Sequence, residues 1–316
     1  MTSTFSYSVT VGLVVYNAAV TIESVVEAIR SQSIIPDEVI VIDDASTDSS
    51  IKKLKKLIQT DFPPTRVIVN SINRGIGFNR QKIVDMAKSP VVVFFDDDDY
   101  SLSDRVATHL SEISICLSYL RVEAPIMSLM ARRLNGRSIS PHHADWPRLC
   151  SSSSDFAGSY SVESSFNEIV WGKKGPLENG HTAACAMALY LPASAEGKKL
   201  FEVGLRRSED TGCAAMFSSF GGYIIGSNKL GVIQAVTQGA EKTFNYELRN
   251  HFKLIRIFKL RNLIYAPQDQ WLREVALLRL TFQRYGYLPT VWLCFRICFI
   301  KGRYGLVHFL VNKVKR

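Results

Sequence analysis

The sequence predicts an α/β protein: a Rossmann-like, mostly parallel sheet flanked by helices. Three observations predict it. Strand-like and helix-like patterns alternate through the first 115 residues, the mark of repeated β-α-β units. Val39 to Ile42 and Val91 to Phe95 are wholly apolar, as strands covered on both faces require. Finally, 47% hydrophobic and 21% charged residues over 316 positions allow a sizeable core and exclude global disorder.

The elements follow in order. Val9 to Val15 is a β-branched run and reads as the first strand. Ile22, Val25, Val26 and Ile29 share the i, i+3, i+4, i+7 spacing of one helix face. After the strand at Val39, helical spacing returns at Ile51, Leu54, Leu57 and Ile58, with Lys52, Lys53, Lys55 and Lys56 on the outer face. Arg66 to Val69 is a short strand, and Ile83, Val84 and Ala87 mark a third helix before the strand at Val91.

The middle is less regular. Pro125 to Met130 and Ala184 to Leu191 read as strands, and Glu209 to Phe220 as a helix. Tyr223 to Ile225 and Val232 to Val236 read as two short strands. Between them, about 135 to 180 reads as long Ser- and Gly-rich loops over one face, of the kind that carry function or stay disordered. From Tyr246 the pattern is helical to the end.

Charge divides the chain. Its net charge is +9, yet residues 242–316 hold fifteen Lys+Arg against three Asp+Glu, and the remainder 23 against 26. A wholly nucleic-acid-binding protein spreads basic charge over its fold, so no nucleic-acid partner is expected. The basic residues of the tail stand beside Trp292, Phe295, Phe299, Tyr304 and Phe309. Three readings stay open for it: an amphipathic segment on an anionic membrane, a helical subdomain packed by its aromatics, or a site for other acidic partners. Leu288 to Ile300 is interrupted by Arg296 and is too short to span a bilayer. The N-terminus lacks a basic n-region, so no signal peptide is expected. Cys116, Cys150, Cys185, Cys213, Cys294 and Cys298 form no CxxC pair and read as reduced thiols. The expected location is cytoplasmic, peripheral to the inner face of the membrane.

Ligands of an open parallel sheet bind outside the carboxyl ends of its strands. Here the first strand ends in Tyr16-Asn17, the second in Asp43-Asp44, and the strand at 91–95 in Asp96, Asp97, Asp98 and Asp99. Four adjacent ionised carboxylates repel one another, and a hard divalent cation, Mg²⁺ or Mn²⁺, relieves this. The alternative is a solvated acidic turn. Neither GxxxxGK[ST] nor GxGxxG is present, so a nucleotide's phosphates would rely on metal and side chains. Ser208-Glu209-Asp210 reads as a helix N-cap with acids in the first turn, or as a catalytic motif; both can hold together.

VVYN at 14–17, VIDDASTDSS at 41–50, NRGIGFNRQKIVDMAKSPVVVFFDDDDY at 73–100 and SED at 208–210 resemble the successive motifs of the family-2 inverting glycosyltransferases. The resemblance covers about 8 to 240. It implies a GT-A domain over 1–241, with a nucleotide-sugar half at about 8–115 and an acceptor half at 116–241. Residues 242–316 form a helical C-terminal extension outside it.

Residue by residue, the resemblance implies a donor site. Asp44 would bind the base, typically uracil, with Tyr16 against it and Asn17 beside it. Arg80 would face the nucleotide; Gln81 stands where Asn is usual. Asp96 or Asp97 would reach the ribose, and Asp98 and Asp99 the metal and diphosphate, though four identical side chains leave the ligand open. Asp210 would be the general base, oriented by Glu209, which could instead touch the acceptor. The implied partners are a nucleotide-sugar donor, UDP-linked by family preference alone, and a glycan or lipid-linked acceptor. His181 and Trp171 stand between structural and acceptor-site readings, and His142-His143 reads as exposed loop. A nucleotidyltransferase would show a Gly-rich basic loop near the first strand, which VVYNAAVT lacks. A non-catalytic nucleotide-sugar-binding module of the same fold, which could keep Asp44 but lose the base, stays open as the alternative; Asp210 and the Asp run argue against it.

Overall fold

A computed structural model describes residues 7–120, 123–134, 137–139, 159–160, 184–201, 209–219, 222–234 and 290–293. The chain divides into two compact units, Met1–Ile169 with Gly180–Leu263, and Val170–Asn179 with Ile264–Arg316. The expected boundary near 242 lies outside the described residues, as do His142, His143, Trp171, His181 and nearly all of the basic tail.

Among the described residues, the first unit carries ten strands in one sheet. In chain order its elements are β1 (Val9–Val15), α1 (Ile22–Arg30), β2 (Glu38–Asp43), α2 (Ser50–Leu57), β3 (Thr65–Val69), α3 (Ile76–Met86) and β4 (Val91–Asp96). There follow β5 (Tyr100–Ser101), α4 (Arg105–Leu120), β6 (Ile126–Leu134), β7 (Arg137–Ile139), β8 (Ser159–Tyr160), β9 (Met187–Tyr190), α5 (Glu209–Ser219) and β10 (Tyr223–Ile233). The strand order is β3-β2-β1-β4-β9-β6-β10-β5, with β7 added to β6 and β8 to β10. The β3-β2-β1-β4 half is parallel throughout. β9 runs antiparallel to both β4 and β6, so it joins this half to the parallel β6–β10 pair.

Strand alternation sorts the core into two layers. Val11, Leu13, Val39, Val41, Val93 and Phe95 pack with α1 and α4 on one side. Ile40, Ile42, Val92 and Phe94 pack with Ile83 of α3 and Cys213, Ala214 and Phe217 of α5 on the other. Gly12 makes the second layer possible: a Cβ there would lie 2.6 Å from the Ile83 side chain. The amphipathic readings of α1 and α2 hold. Ile22, Val25, Val26 and Ile29 are buried, and the four lysines of α2 are exposed.

Three local readings change. Ala184 to Leu191 is a 3-10 turn at Ala184–Ala186 followed by β9. The two strands read at 223–225 and 232–236 are one strand, β10, with register shifts on either side of Leu230. Polar Ser227, Asn228 and Lys229 hide that continuity in the sequence, yet Ser227 is fully buried. The stretch read as loops over about 135 to 180 includes the short strands β7 and β8. α4 was not read from the sequence. Its inner face mixes Val106, Leu110 and Ile113 with buried Arg105, His109 and Glu112.

Candidate active site

The order β3-β2-β1-β4 reverses direction at β1, and the β1–β4 junction is the switch point where open sheets take ligands. Register brings the strand ends level. Val15 pairs with Asp43 and Val14 with Asp96, so Tyr16, Asp43, Asp44, Asp96 and Asp97 share one rim.

Three loops are laced together there. Tyr16 N donates to Asp97 Oδ2 at 2.8 Å, and Thr21 Oγ1 to the Asp97 carbonyl. Asn17 N donates to Ser46 Oγ, while Asn17 Oδ1 accepts from Thr47 N. Asn17 and Ala45 hold positive φ, 52° and 64°, a strained geometry that clusters at functional sites. The Tyr16 ring remains 49% exposed, leaving a face open to a flat ligand.

Asp44 is 3% exposed and highly coordinated. It accepts from Arg74 N at 2.7 Å, Gly75 N at 2.9 Å and Asn70 Nδ2 at 3.1 Å. Gly75 adopts φ 88° just before α3, which turns its N–H toward that carboxylate. Burial alone would raise the Asp44 carboxyl, but these donors outweigh it and hold it below the usual range. Neighbouring Asp43 is 1% exposed; its Oδ2 accepts from Ser46 N and its Oδ1 has no partner.

Arg80 is placed differently from a residue facing solvent. It is 2% exposed and pairs with Asp96 through Nη2 and with Glu209 through Nη1. Burial disfavours its charge, but Asp96 and Glu209, with Asp210 behind them, raise its pKa above the ordinary value. Thus Arg80 on α3 joins the acidic run after β4 to the first turn of α5. Gln81 secures the same approach. Its Oε1 accepts from Leu200 N and Phe201 N, and its Nε2 donates to Asp85 Oδ1 and the Lys198 carbonyl. The substituted Gln81 is therefore a buried structural tie.

Within the acidic run, Asp96, Asp97 and Asp98 are half-buried and Asp99 is 7% exposed. Burial pushes the Asp97 carboxyl up to about 7 against its hydrogen bond from Tyr16, with repulsion from Asp96 and Asp98 adding to the rise. Asp96, Asp99 and Cys185 each present one ligand atom, all within 4.8 Å of one another. Burial, with Asp96 and Asp99 beside it, raises the Cys185 thiol well above its ordinary value, so a neutral thiol adjoins two carboxylates. That oxygen-rich set fits a hard divalent cation. Asp210 opens α5, half-buried, beside Glu209.

The sequence reading did not find Asn70, Asn79, Arg105 or Cys185. Asn79 Oδ1 accepts from Asn70 Nδ2, which completes the Asp44 cradle. Asn79 lies within the motif quoted at 73–100, next to Arg80, and Asn70 lies outside every quoted motif.

Residues 10–116 match the family described as glycosyl transferase family 2. That match spans 107 of the 316 residues. No curated protein sequence matches the chain. Several solved structures share the fold. TarS of S. aureus (residues 1-349) in complex with UDP-GlcNAc is 16% identical, with 97% of this chain and 88% of that one covered and a TM-score of 0.58. The complex of the same protein with UDP covers 91% and 75% at 17% identity, with a TM-score of 0.54. The mannosyltransferase PcManGT from Pyrobaculum calidifontis, in complex with GDP-Man and Mn²⁺, is 15% identical, covers 98% and 85%, and has a TM-score of 0.54. The family-2 region and these likenesses establish the expected GT-A fold, with its mostly parallel sheet and flanking helices. Among the described residues, no helix is long and apolar enough to cross a membrane.

Proposed function

We propose that this family-2 chain is an inverting glycosyltransferase that moves a sugar from a nucleoside-diphosphate donor to an acceptor hydroxyl. The observation that carries the reading is the Arg80 bridge, which holds Asp96 of the donor rim and Glu209 of the Glu209-Asp210 pair in one ion network.

The donor base lies against Tyr16 and is read at Asp44 and Asn17. A carboxylate held ionised by two backbone N–H groups is a fixed acceptor for a base N–H. The ribose reaches Asp96 or Asp97. Asp98 and Asp99 would hold Mg²⁺ or Mn²⁺, with Asp96 in reach of the same ion. When bound, the ion offsets the charge that grows on the departing diphosphate.

Asp210 supplies the base. An acceptor hydroxyl is a weak nucleophile, and a carboxylate taking its proton as the C–O bond forms raises its reactivity. The bond from the anomeric carbon to the diphosphate oxygen breaks on the opposite face, so one displacement inverts the centre. Arg80 holds Glu209 in an ion pair, and its charge also acts on Asp210 beside it. The donor is a UDP-sugar by family preference, and the acceptor a glycan or lipid-linked hydroxyl. The basic aromatic segment 242–316 suits an anionic membrane surface that would present such an acceptor.

The test is nucleoside-diphosphate release from a panel of UDP-, GDP- and CDP-sugars, with the anomer of the released sugar read by NMR. One donor should react with inversion, and Asp210→Asn should slow release by roughly 10²–10⁴-fold with donor binding retained. Retention of configuration, or an unchanged rate in that variant, would remove Asp210 as the base.

A further inference from the structure

Arg105, the first residue of α4, is wholly buried directly behind the acidic run. Its guanidinium grips both flanks of that run. Nη2 donates to the Phe94 carbonyl, two residues before Asp96, and Nη1 donates to Ser101 Oγ at 2.7 Å, two residues after Asp99. The guanidinium carbon lies 4.6 Å from the centroid of the Phe95 ring, and Nε is buried without a partner. Its charge acts on Asp96, Asp99 and Cys185. The flanks are themselves anchored: Leu102 N donates to the Gly231 carbonyl, and Ser33 N to the Ser103 carbonyl.

Packing does not account for this residue. An apolar side chain of similar volume would fill the space without desolvating a cation, which is costly unless negative charge repays it. Burial lowers the Arg105 pKa to about 10, and the carboxylates of Asp96 and Asp99 in front of it offset part of that cost. Arg80 pairs with Asp96 from the α3 side, but Asp99 is buried on the Arg105 side. One turn along α4, His109 is held neutral by burial and by Arg105 itself, so it adds no second cation.

We propose that Arg105 is the positioning residue of the acidic turn: it clamps both ends of residues 94–101 and offsets the charge of half-buried Asp96 and buried Asp99, so the turn keeps its shape before any cation binds. Its consequence for donor binding rests on the reading of the rim given above; its consequence for stability does not.

The test uses the full chain with Arg105→Met and Arg105→Lys. Thermal unfolding is followed in chelator and in Mn²⁺, and binding of Mn²⁺ alone and of UDP with Mn²⁺ is followed by calorimetry. In Arg105→Met the gain in melting temperature from Mn²⁺ should exceed that of the parent, and Mn²⁺ alone should bind more tightly. UDP affinity with Mn²⁺ should fall about tenfold, the size of effect expected when a residue that orients a ligand set from behind is removed. Arg105→Lys keeps the charge without the fork. It should restore the parent's response to Mn²⁺ but not its UDP affinity. An equal Mn²⁺ gain in Arg105→Met and the parent would reduce Arg105 to packing and overturn the proposal. If Arg105→Met does not fold, Arg105→Lys decides, because unchanged UDP affinity there contradicts the clamp. A parent that binds no UDP would sink the donor reading, and the stability arm would still judge the charge offset.

Discussion

Arg80 and Glu209 stand 129 residues apart in sequence and form an ion pair whose side chains are 3% and 10% exposed. The same guanidinium holds Asp96, so the acidic rim after β4 and the opening turn of α5 share one buried cation. A site split between distant chain segments needs such a link, because a small displacement between donor and base costs much of the rate.

Removing that cation leaves two carboxylates facing each other with little solvent. Arg80→Ala should therefore lose roughly 3–5 kcal/mol of stability, the cost of breaking a buried pair on one side. Arg80→Lys offers one ammonium in place of a fork and cannot hold both acids in the same geometry. Denaturant melts and initial rates together check this, with the Lys variant expected to lose proportionately more rate than stability.

Asp44→Asn should weaken nucleotide binding by about 2 kcal/mol, because an ionised acceptor becomes a neutral amide. It should also lower the melting temperature, since Arg74 N and Gly75 N converge on the carboxylate being replaced. Nucleotide affinity is measured well below the variant's melting point, where the two effects separate.

At the opposite end of β2, Glu38 ties down the sheet. It accepts from Thr10 Oγ1, Lys88 N and Arg66 Nη2, each at 2.7 Å. Burial raises this carboxyl, but the donors and the Arg66 charge more than reverse it, so the folded pKa lies below the ordinary value. The stabilisation is thus present above the unfolded pKa of about 4.3 and is lost as pH falls through the folded value. Arg66 is 36% exposed, which screens its share. Glu38→Gln should cost roughly 1–2 kcal/mol at neutral pH and lose less additional stability in acid than the parent. Unfolding free energies between neutral pH and about pH 3 test the sign.

Gly12→Ala places a methyl group 2.6 Å from the Ile83 side chain and 3.3 Å from the Phe94 ring. Both are fully buried, so the crowding should cost about 1–3 kcal/mol. Gly12→Ala combined with Ile83→Val should recover part of the loss in a denaturant melt.

β1, β2, β4, α1 and the outer face of α2 were legible because each obeys a single rule of burial. β1 matches its β-branched run from end to end, and the strands ending in Asp43 and Asp96 follow apolar stretches. α4 was not legible, because three ionisable side chains lie on its buried face and break the apolar stripe. The site was legible as residue types at strand ends. Its connections were not: nothing in the order of residues says that Arg80 turns inward to Glu209, or that Gln81 caps the backbone at Leu200 and Phe201. Those contacts arise only when α3 and α5 settle on the same face of the sheet.

The most direct test of the account is calorimetric titration of the folded protein with UDP, GDP and CDP, each with and without Mn²⁺. The rim of Tyr16, Asp44 and Asp96–Asp99 predicts binding of one nucleotide, UDP by preference, that depends on Mn²⁺ and is weakened when Asp98 and Asp99 are replaced. Binding of none of the three to protein shown to be folded would contradict a nucleotide-sugar site at this rim.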